Sequence, residues 1–271
     1  MSDAAAAPLV LVHGPENGVA EIVLNRPDKM NAITADLIRA MVAAAEGLFA
    51  DPRLRVVVLR GEGRAFCAGL DKGNFGKMAQ TGKGSMGAEV MTRSHGRSNL
   101  FQYASLVWRE APVPVIAALH GVAFGGGLQI ALGADVRIAA PGTRLSVMEM
   151  KWGLIPDMGG MTLMKRLMRG DEIRRLIYTA EIVEAEEARA LGLVTEVAED
   201  PVARARALAA EIAGRSPSAM RAAKELINLS EEADDATILL EESRLQTGLI
   251  GGAHQIEAVM AGMENRPARF A

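Results

Sequence analysis

The sequence predicts an α/β fold, with strand–helix units through the first two thirds of the chain and helices through the last third. Three observations carry this. Arg55 to Arg60, RVVVLR, is a continuous β-branched run of the kind buried on both faces of a parallel sheet. Val115 to Leu119, VIAAL, is a second such run; it passes through Gly121 into the triplet Gly125, Gly126 and Gly127 and then into an uncharged helix-like segment. From Met161 onward the chain reads as almost wholly helical.

Taken in order, Leu9 to His13 and Val19 to Leu24 read as two short strands around the turn GPENG. The polar stretch NRPDKMNAIT, residues 25–34, ends on Thr34, a candidate N-cap for a helix over 35–50 that Asp51 and Pro52 stop. Strand, helix and the 55–60 strand form a right-handed crossover unit. The loop GEGRAFCAGLDKGNF follows, with glycine spacing that fits neither a dinucleotide fingerprint nor a P-loop. Residues 76–87 read as a mobile segment, and a helix is expected over 88–109 before Pro112 and Pro114. Asp135 to Ala140 is a further strand, Arg144 to Met148 a short one, and Lys151 to Gly160 a loop. Met161, Met164, Leu167 and Met168 share one helical face, read as a core face. A short helix over 185–191, a strand at LVTEV and about three helices through 201–264 complete the chain.

Composition bounds the function. The 271 residues are 49% hydrophobic and 23% charged, an ordinary globular balance. Thirty basic against thirty-three acidic residues leave a net charge of −3, so neither nucleic acid nor a membrane surface is expected as a partner. Residues 111–134 are uncharged, but two prolines, His120, Gln129 and the glycine triplet interrupt them too often for a membrane span. The single cysteine, Cys67, allows no internal disulfide, and the N-terminus has no basic n-region, which together point to the cytoplasm. Four scattered histidines give no metal-ligand spacing. His120 reads as a structural hydrogen-bonding residue and Cys67 as a small buried one.

The glycine stretch has chemical meaning. A strand that ends in glycines and opens into a helix exposes backbone N–H groups, which favour a negative or developing negative oxygen. Glycines used only for tight packing are the competing explanation.

Several segments together, in order and spacing, resemble the enoyl-CoA hydratase/isomerase (crotonase) superfamily: NRPDKMNAI (25–33), RVVVLRGEGRAFCAGLD (55–71), PVIAALHGVAFGGGLQIALGADVRIAA (114–140), EMKWGLIPDMGG (149–160) and the A-x-GLV pattern of Ala190 to Val194. The resemblance implies the crotonase (ClpP-like) fold of repeated ββα units with two roughly perpendicular sheets, spanning residues 8–200. A helical C-terminal region, residues 201–271, would form a homotrimer or a dimer of trimers. It implies an acyl-CoA substrate with no separate cofactor, because coenzyme A is part of the substrate. By match of motif, the N–H groups of Leu70 and Gly126 would form an oxyanion hole for the thioester oxygen. One such donor is worth roughly a hundred- to a thousandfold in rate. Gly125 and Asp71 would border the ligand, and Lys72 and Lys29 would either meet the coenzyme A phosphates or stand as solvated surface charges.

Hydratases of this family use two glutamates. Here the first position is Gln129, which can hold water but cannot take its proton at neutral pH. The second, Glu149, is retained among Met148, Met150 and Trp152. Asp157 stands where the dienoyl-CoA isomerase branch has an aspartate; it is either a second proton-handling group or a helix N-cap. One carboxylate suffices to move a proton between two carbons while an oxyanion hole holds the intermediate. Double-bond isomerisation is therefore the favoured chemistry. Hydration through Gln129 and Glu149 is the first alternative, and a non-catalytic acyl-CoA-binding homologue the second.

Overall fold

The computed structural model describes residues 7–73 and 90–270. The sequence expectation of a mobile segment over 76–87 falls outside them.

Six strands form the main sheet, in the order β1 (Val10–Glu16), β2 (Val19–Leu24), β3 (Val56–Gly61), β4 (Val115–Leu119), β6 (Val136–Ala139) and β9 (Glu196–Val197). Only β1 runs antiparallel to its neighbour. The first hairpin is longer than the sequence suggests: β1 continues through Gly14 and Pro15 to Glu16, and only Asn17 and Gly18 make the turn. A second sheet joins β5 (Val122–Phe124), β7 (Arg144–Ser146) and β8 (Val183–Glu184).

The continuous apolar runs are explained by burial on both faces. Val57, Leu59, Ala117 and Leu119 belong to the large core, together with the apolar residues of α1 (Ala35–Phe49) and α2 (Leu100–Arg109). The alternate residues Val56, Val58, Ile116 and Ala118 face the other way. They meet Ala205, Ala209 and Ala213, which stand four residues apart on α7 (Pro201–Ala213). Small residues at that spacing let the helix lie close to the sheet.

Thr34 caps α1 as expected, accepting a hydrogen bond from the Leu37 N–H at 3.2 Å. The helix expected over 88–109 begins only at Leu100. Asn99 accepts from the Gln102 N–H at 2.8 Å, and the Gln102 side chain accepts from the Asn99 N–H at 3.0 Å. This reciprocal capping box starts a helix at the next residue.

The segment 111–134 is not a span: it folds as β4, β5 and the seven-residue helix α3 (Gly126–Leu132). No helix among the described residues is long and apolar enough to cross a membrane. Two more helices, α4 (Gly160–Leu167) and α5 (Gly170–Thr179), precede α6 (Ala185–Ala190). In the face read as core, Met164 is fully buried and Leu167 and Met168 pack at the core edge, but Met161 is exposed. After α7 come α8 (Pro217–Ser230), α9 (Asp235–Leu249) and α10 (Ala253–Met263), so four helices occupy 201–264 where about three were expected.

A buried lysine fastens this helical region to the sheet. Lys224 on α8 donates to the Trp108 and Val113 carbonyls, each at 2.9 Å, and to Asp135 Oδ2 at 2.7 Å. Burial lowers its pKa, against the pull of Asp135.

Candidate active site

The loop after β3 is threaded between the extended residue Ile33 and β5. Ile33 and Leu70 form a parallel bridge in which the Ile33 N–H donates to Gly69 O at 2.8 Å and the Asp71 N–H donates to Ile33 O at 3.0 Å. In a parallel bridge the opposed residue turns its own N–H and C=O the other way. The Leu70 N–H therefore faces away from Ile33. On the far side Cys67 pairs with Ala123, and Gly69, at φ +82°, lies so close that a Cβ there would be 2.7 Å from Phe124 O.

Gly125 follows at φ +51°, ψ −123°, a conformation suited to glycine, and α3 begins at Gly126. Among the described residues no backbone carbonyl accepts the Gly126 N–H, as expected for the first residue of a helix. Gly126 is closely covered: a Cβ there would be 2.5 Å from Met158 Sδ and 2.9 Å from Ile33 Cδ1. Ile33 thus neighbours both Leu70 and Gly126.

Asn31, which sequence reasoning passed over, holds the loop in place. It is fully buried at φ +54°, a left-handed position that asparagine tolerates. Its Nδ2 donates to the carbonyls of Glu62, Ala65 and Phe66 at 3.0, 2.9 and 3.1 Å, and its Oδ1 accepts from the Arg26 N–H at 2.8 Å. The available signal was an asparagine in a polar, proline-containing stretch just before the loop it organises. His120 Nε2 ties the same loop by donating to Gly63 O at 2.9 Å, as its structural reading required. Cys67 is buried, its thiol pushed up to about 12 by burial, so it is no nucleophile.

Glu149 opens a 3-10 turn, Glu149–Trp152, separated from the end of β7 by two residues. Its carboxylate comes back to the glycine stretch: a Cβ on Gly125 would stand 3.2 Å from Glu149 Oε1. Oε1 accepts from Gln129 Nε2 at 2.6 Å. Oε2 is buried and, among the described residues, has no hydrogen-bond partner. Burial raises the Glu149 pKa; the Gln129 hydrogen bond opposes this, and the negative charge of Asp157 adds to it.

Asp157 is exposed at the surface of the chain, yet protein atoms crowd its carboxyl and raise its pKa in turn. It is not the N-cap of α4, since Gly159 takes that position in the left-handed region without a side-chain cap. Gln129 is buried in α3, and its Oε1 accepts from the Met158 and Gly160 N–H groups, each at 2.9 Å.

The fold thus gathers Gly125, Gly126, Gln129, Glu149 and Asp157, with Leu70 on the adjoining loop. Asp71 is turned into the loop, accepting from Arg26 Nη2 at 3.1 Å and from the Gly73 N–H at 2.9 Å. Both contacts favour its charged form and hold its pKa down. Lys29 and Lys72 are exposed. The assembly offers one buried carboxylate with a free oxygen against the glycine turn that starts α3, an arrangement suited to moving a proton.

Comparison with known proteins places the chain among relatives. The family model for enoyl-CoA hydratase/isomerase matches residues 14–271. The mitochondrial methylglutaconyl-CoA hydratase of Mus musculus is 31% identical over 260 residues, covering 93% of this chain and 79% of that protein. Enoyl-CoA hydratase domain-containing protein 2, also mitochondrial and from Mus musculus, is 32% identical over 264 residues, covering 95% and 86%. A crystal structure of enoyl-CoA hydratase from Bacillus anthracis superposes with a TM-score of 0.87 at 30% identity, covering 97% of this chain and 98% of that one.

Proposed function

The chain belongs to the enoyl-CoA hydratase/isomerase (crotonase) superfamily and is an enzyme of that type; from that premise we propose that it shifts the double bond of an enoyl-CoA thioester, with Glu149 as the proton carrier. The observation that carries this reading is the Glu149 carboxylate lying against Gly125, at the start of the helix that opens with Gly126, with its Oε2 buried and unpartnered among the described residues. In the proposed reaction Glu149 takes a proton from C2 of a 3-enoyl-CoA. The electron pair moves towards the thioester oxygen, where the Leu70 and Gly126 N–H groups meet the developing charge. Glu149 then returns the proton to C4, and the double bond ends between C2 and C3. A pKa raised by burial suits a group that must both take and give a proton near neutrality. Coenzyme A enters as part of the substrate, so no separate cofactor is required, and Asp157 is the second group able to handle a proton.

Hydration of a 2-enoyl-CoA is the second reading. The names of the relatives favour it, and the second N–H of Gln129 Nε2 could hold the water that Glu149 deprotonates. Incubation with 2-enoyl-, 3-enoyl- and 3,5-dienoyl-CoA, followed by mass spectrometry, separates the two. Isomerisation gives an equal-mass product from a 3-enoyl or dienoyl substrate, lost at least about a hundredfold in Glu149→Gln with thioester binding kept. A product one water heavier from the 2-enoyl substrate alone overturns isomerisation in favour of hydration.

The same proposal includes a homotrimer or dimer of trimers built through residues 201–271, with residues 8–200 as the acyl-CoA-binding core. It also includes a cytoplasmic site of action, against the mitochondrial location that two relatives' names carry; cell fractionation decides between them.

A further inference from the structure

Resting on Glu149 as the proton carrier, we infer that Gln129 is a positioning residue: its amide clamps Glu149 Oε1 to the backbone at Met158 and Gly160 and leaves Oε2 as the atom that moves the proton. The amide can take only one orientation. Two N–H groups converge on Oε1, so an NH₂ group placed there would face two donors, and a carbonyl would then face the carboxylate. The site is shaped for this contact. Gln129 sits 1% exposed on α3, and Gly160 has no side chain where a Cβ would lie 2.6 Å from Gln129 Oε1.

The clamp joins three pieces of chain. It ties α3, the 3-10 turn of Glu149 and the loop through Met158, whose sulfur covers Gly126. The carboxylate and the residue proposed as one oxyanion donor are thereby held in a single hydrogen-bonded unit. Both lone pairs of Gln129 Oε1 are committed to backbone, which leaves it no acceptor for the proton of an attacking water.

The clamp also governs charge. Gln129 presents a neutral donor from α3, and Asp157 is the charged group that bears on Glu149 from the loop. On α5, which packs against the same turn, Arg175 is engaged by Glu172, Glu181 and Glu187, Arg174 reaches the Gly170 carbonyl, and Asp171 pairs with Arg169. Lys151, on the turn itself, lies over the Trp152 ring. A glutamate at 129 would set two carboxylates 2.6 Å apart, and they would have to share a proton.

The test is the pH–rate profile of Gln129→Glu and Gln129→Met beside Glu149→Gln. The rate followed is whichever of 3-enoyl-CoA isomerisation or 2-enoyl-CoA hydration the wild-type protein catalyses. Gln129→Glu keeps an acceptor for both N–H groups and should fold. Its rate should rise only at higher pH, the acid limb moving up by about one unit or more. Gln129→Met should lose about tenfold or more in kcat with little change in KM, its acid limb also moving up. Wild-type profiles in both variants, with kcat within about twofold, overturn the clamp even where Glu149→Gln is inactive. Should Gln129→Met fail to fold, Gln129→Glu decides alone. A Glu149→Gln protein that still turns over overturns the reading of Glu149 itself, whatever Gln129 does, and absence of both reactions in the wild type overturns both.

Discussion

Glu149 is an expensive residue to fold around. Its folded pKa is raised by burial above the ordinary value of 4.5, so the folded state binds a proton more tightly than the unfolded chain. Below that ordinary value both states are protonated and nothing is lost. As pH rises through it the unfolded chain ionises first, and stability falls until the folded carboxyl has ionised too. Glu149→Gln should therefore melt higher than wild type at pH 7.5, and the gain should vanish by about pH 4. Melting curves at the two pH values check this; a variant less stable than wild type at neutral pH would show that the carboxylate supports the fold. Asp157, raised for the same reason, pushes the profile in the same direction. Glycine positions are constrained just as locally. A Cβ on Gly127 would stand 2.6 Å from Cys67 O and 2.7 Å from its sulfur, so Gly127→Ala should cost about 1–3 kcal/mol by overpacking, read as a lower Tm.

At the scale of the element, α2 depends on its first residue. Asn99 accepts from the Gln102 N–H and also donates to Val90 O at 2.7 Å, so it both starts the helix and fixes the chain leading into it. Asn99→Ala should cost about 1–2 kcal/mol, which for a domain of this size lowers Tm by about 2–8 °C. Because α2 packs behind α3 and does not supply the site, kcat should change little. Scanning calorimetry together with the thioester assay measures both. The glycine-to-helix element has the opposite logic: α3 is short and uncapped at Gly125, and under the proposed function its first N–H groups would serve the ligand rather than the helix.

At the scale of the whole molecule, the C-terminal helices end in an apolar surface. Leu239, Leu240, Ile250 and Met263 are each more than 60% exposed. Exposed apolar residues concentrated on two consecutive helices support an assembly interface. We propose that native mass spectrometry will find three or six times the 28.7 kDa chain mass, and that Leu240→Lys will reduce it; a wild-type monomer at micromolar concentration would exclude the interface. The buried Lys224 gives this region a fixed attachment to the sheet through Asp135 and two carbonyls, independent of any partner.

The sequence by itself determined the strand runs, the capped helix after Thr34, the glycine turn into α3 and the candidate site residues. Each of these is written in local chemistry: period, cap residue, φ-permissive glycine, or motif order. Tertiary structure decided the rest, because it depends on groups far apart in the chain. Asn31 meets carbonyls some 31 to 35 residues away, and Gln129 meets Glu149 and Gly160 across 20 and 31. No local pattern reveals which lone pair of Gln129 is occupied or that Glu149 Oε2 is left buried without a partner. The late start of α2 and the exposure of Met161 were decided in the same way, by a reciprocal cap and by the limited width of the core, where periodicity alone read a longer helix and a wider apolar face.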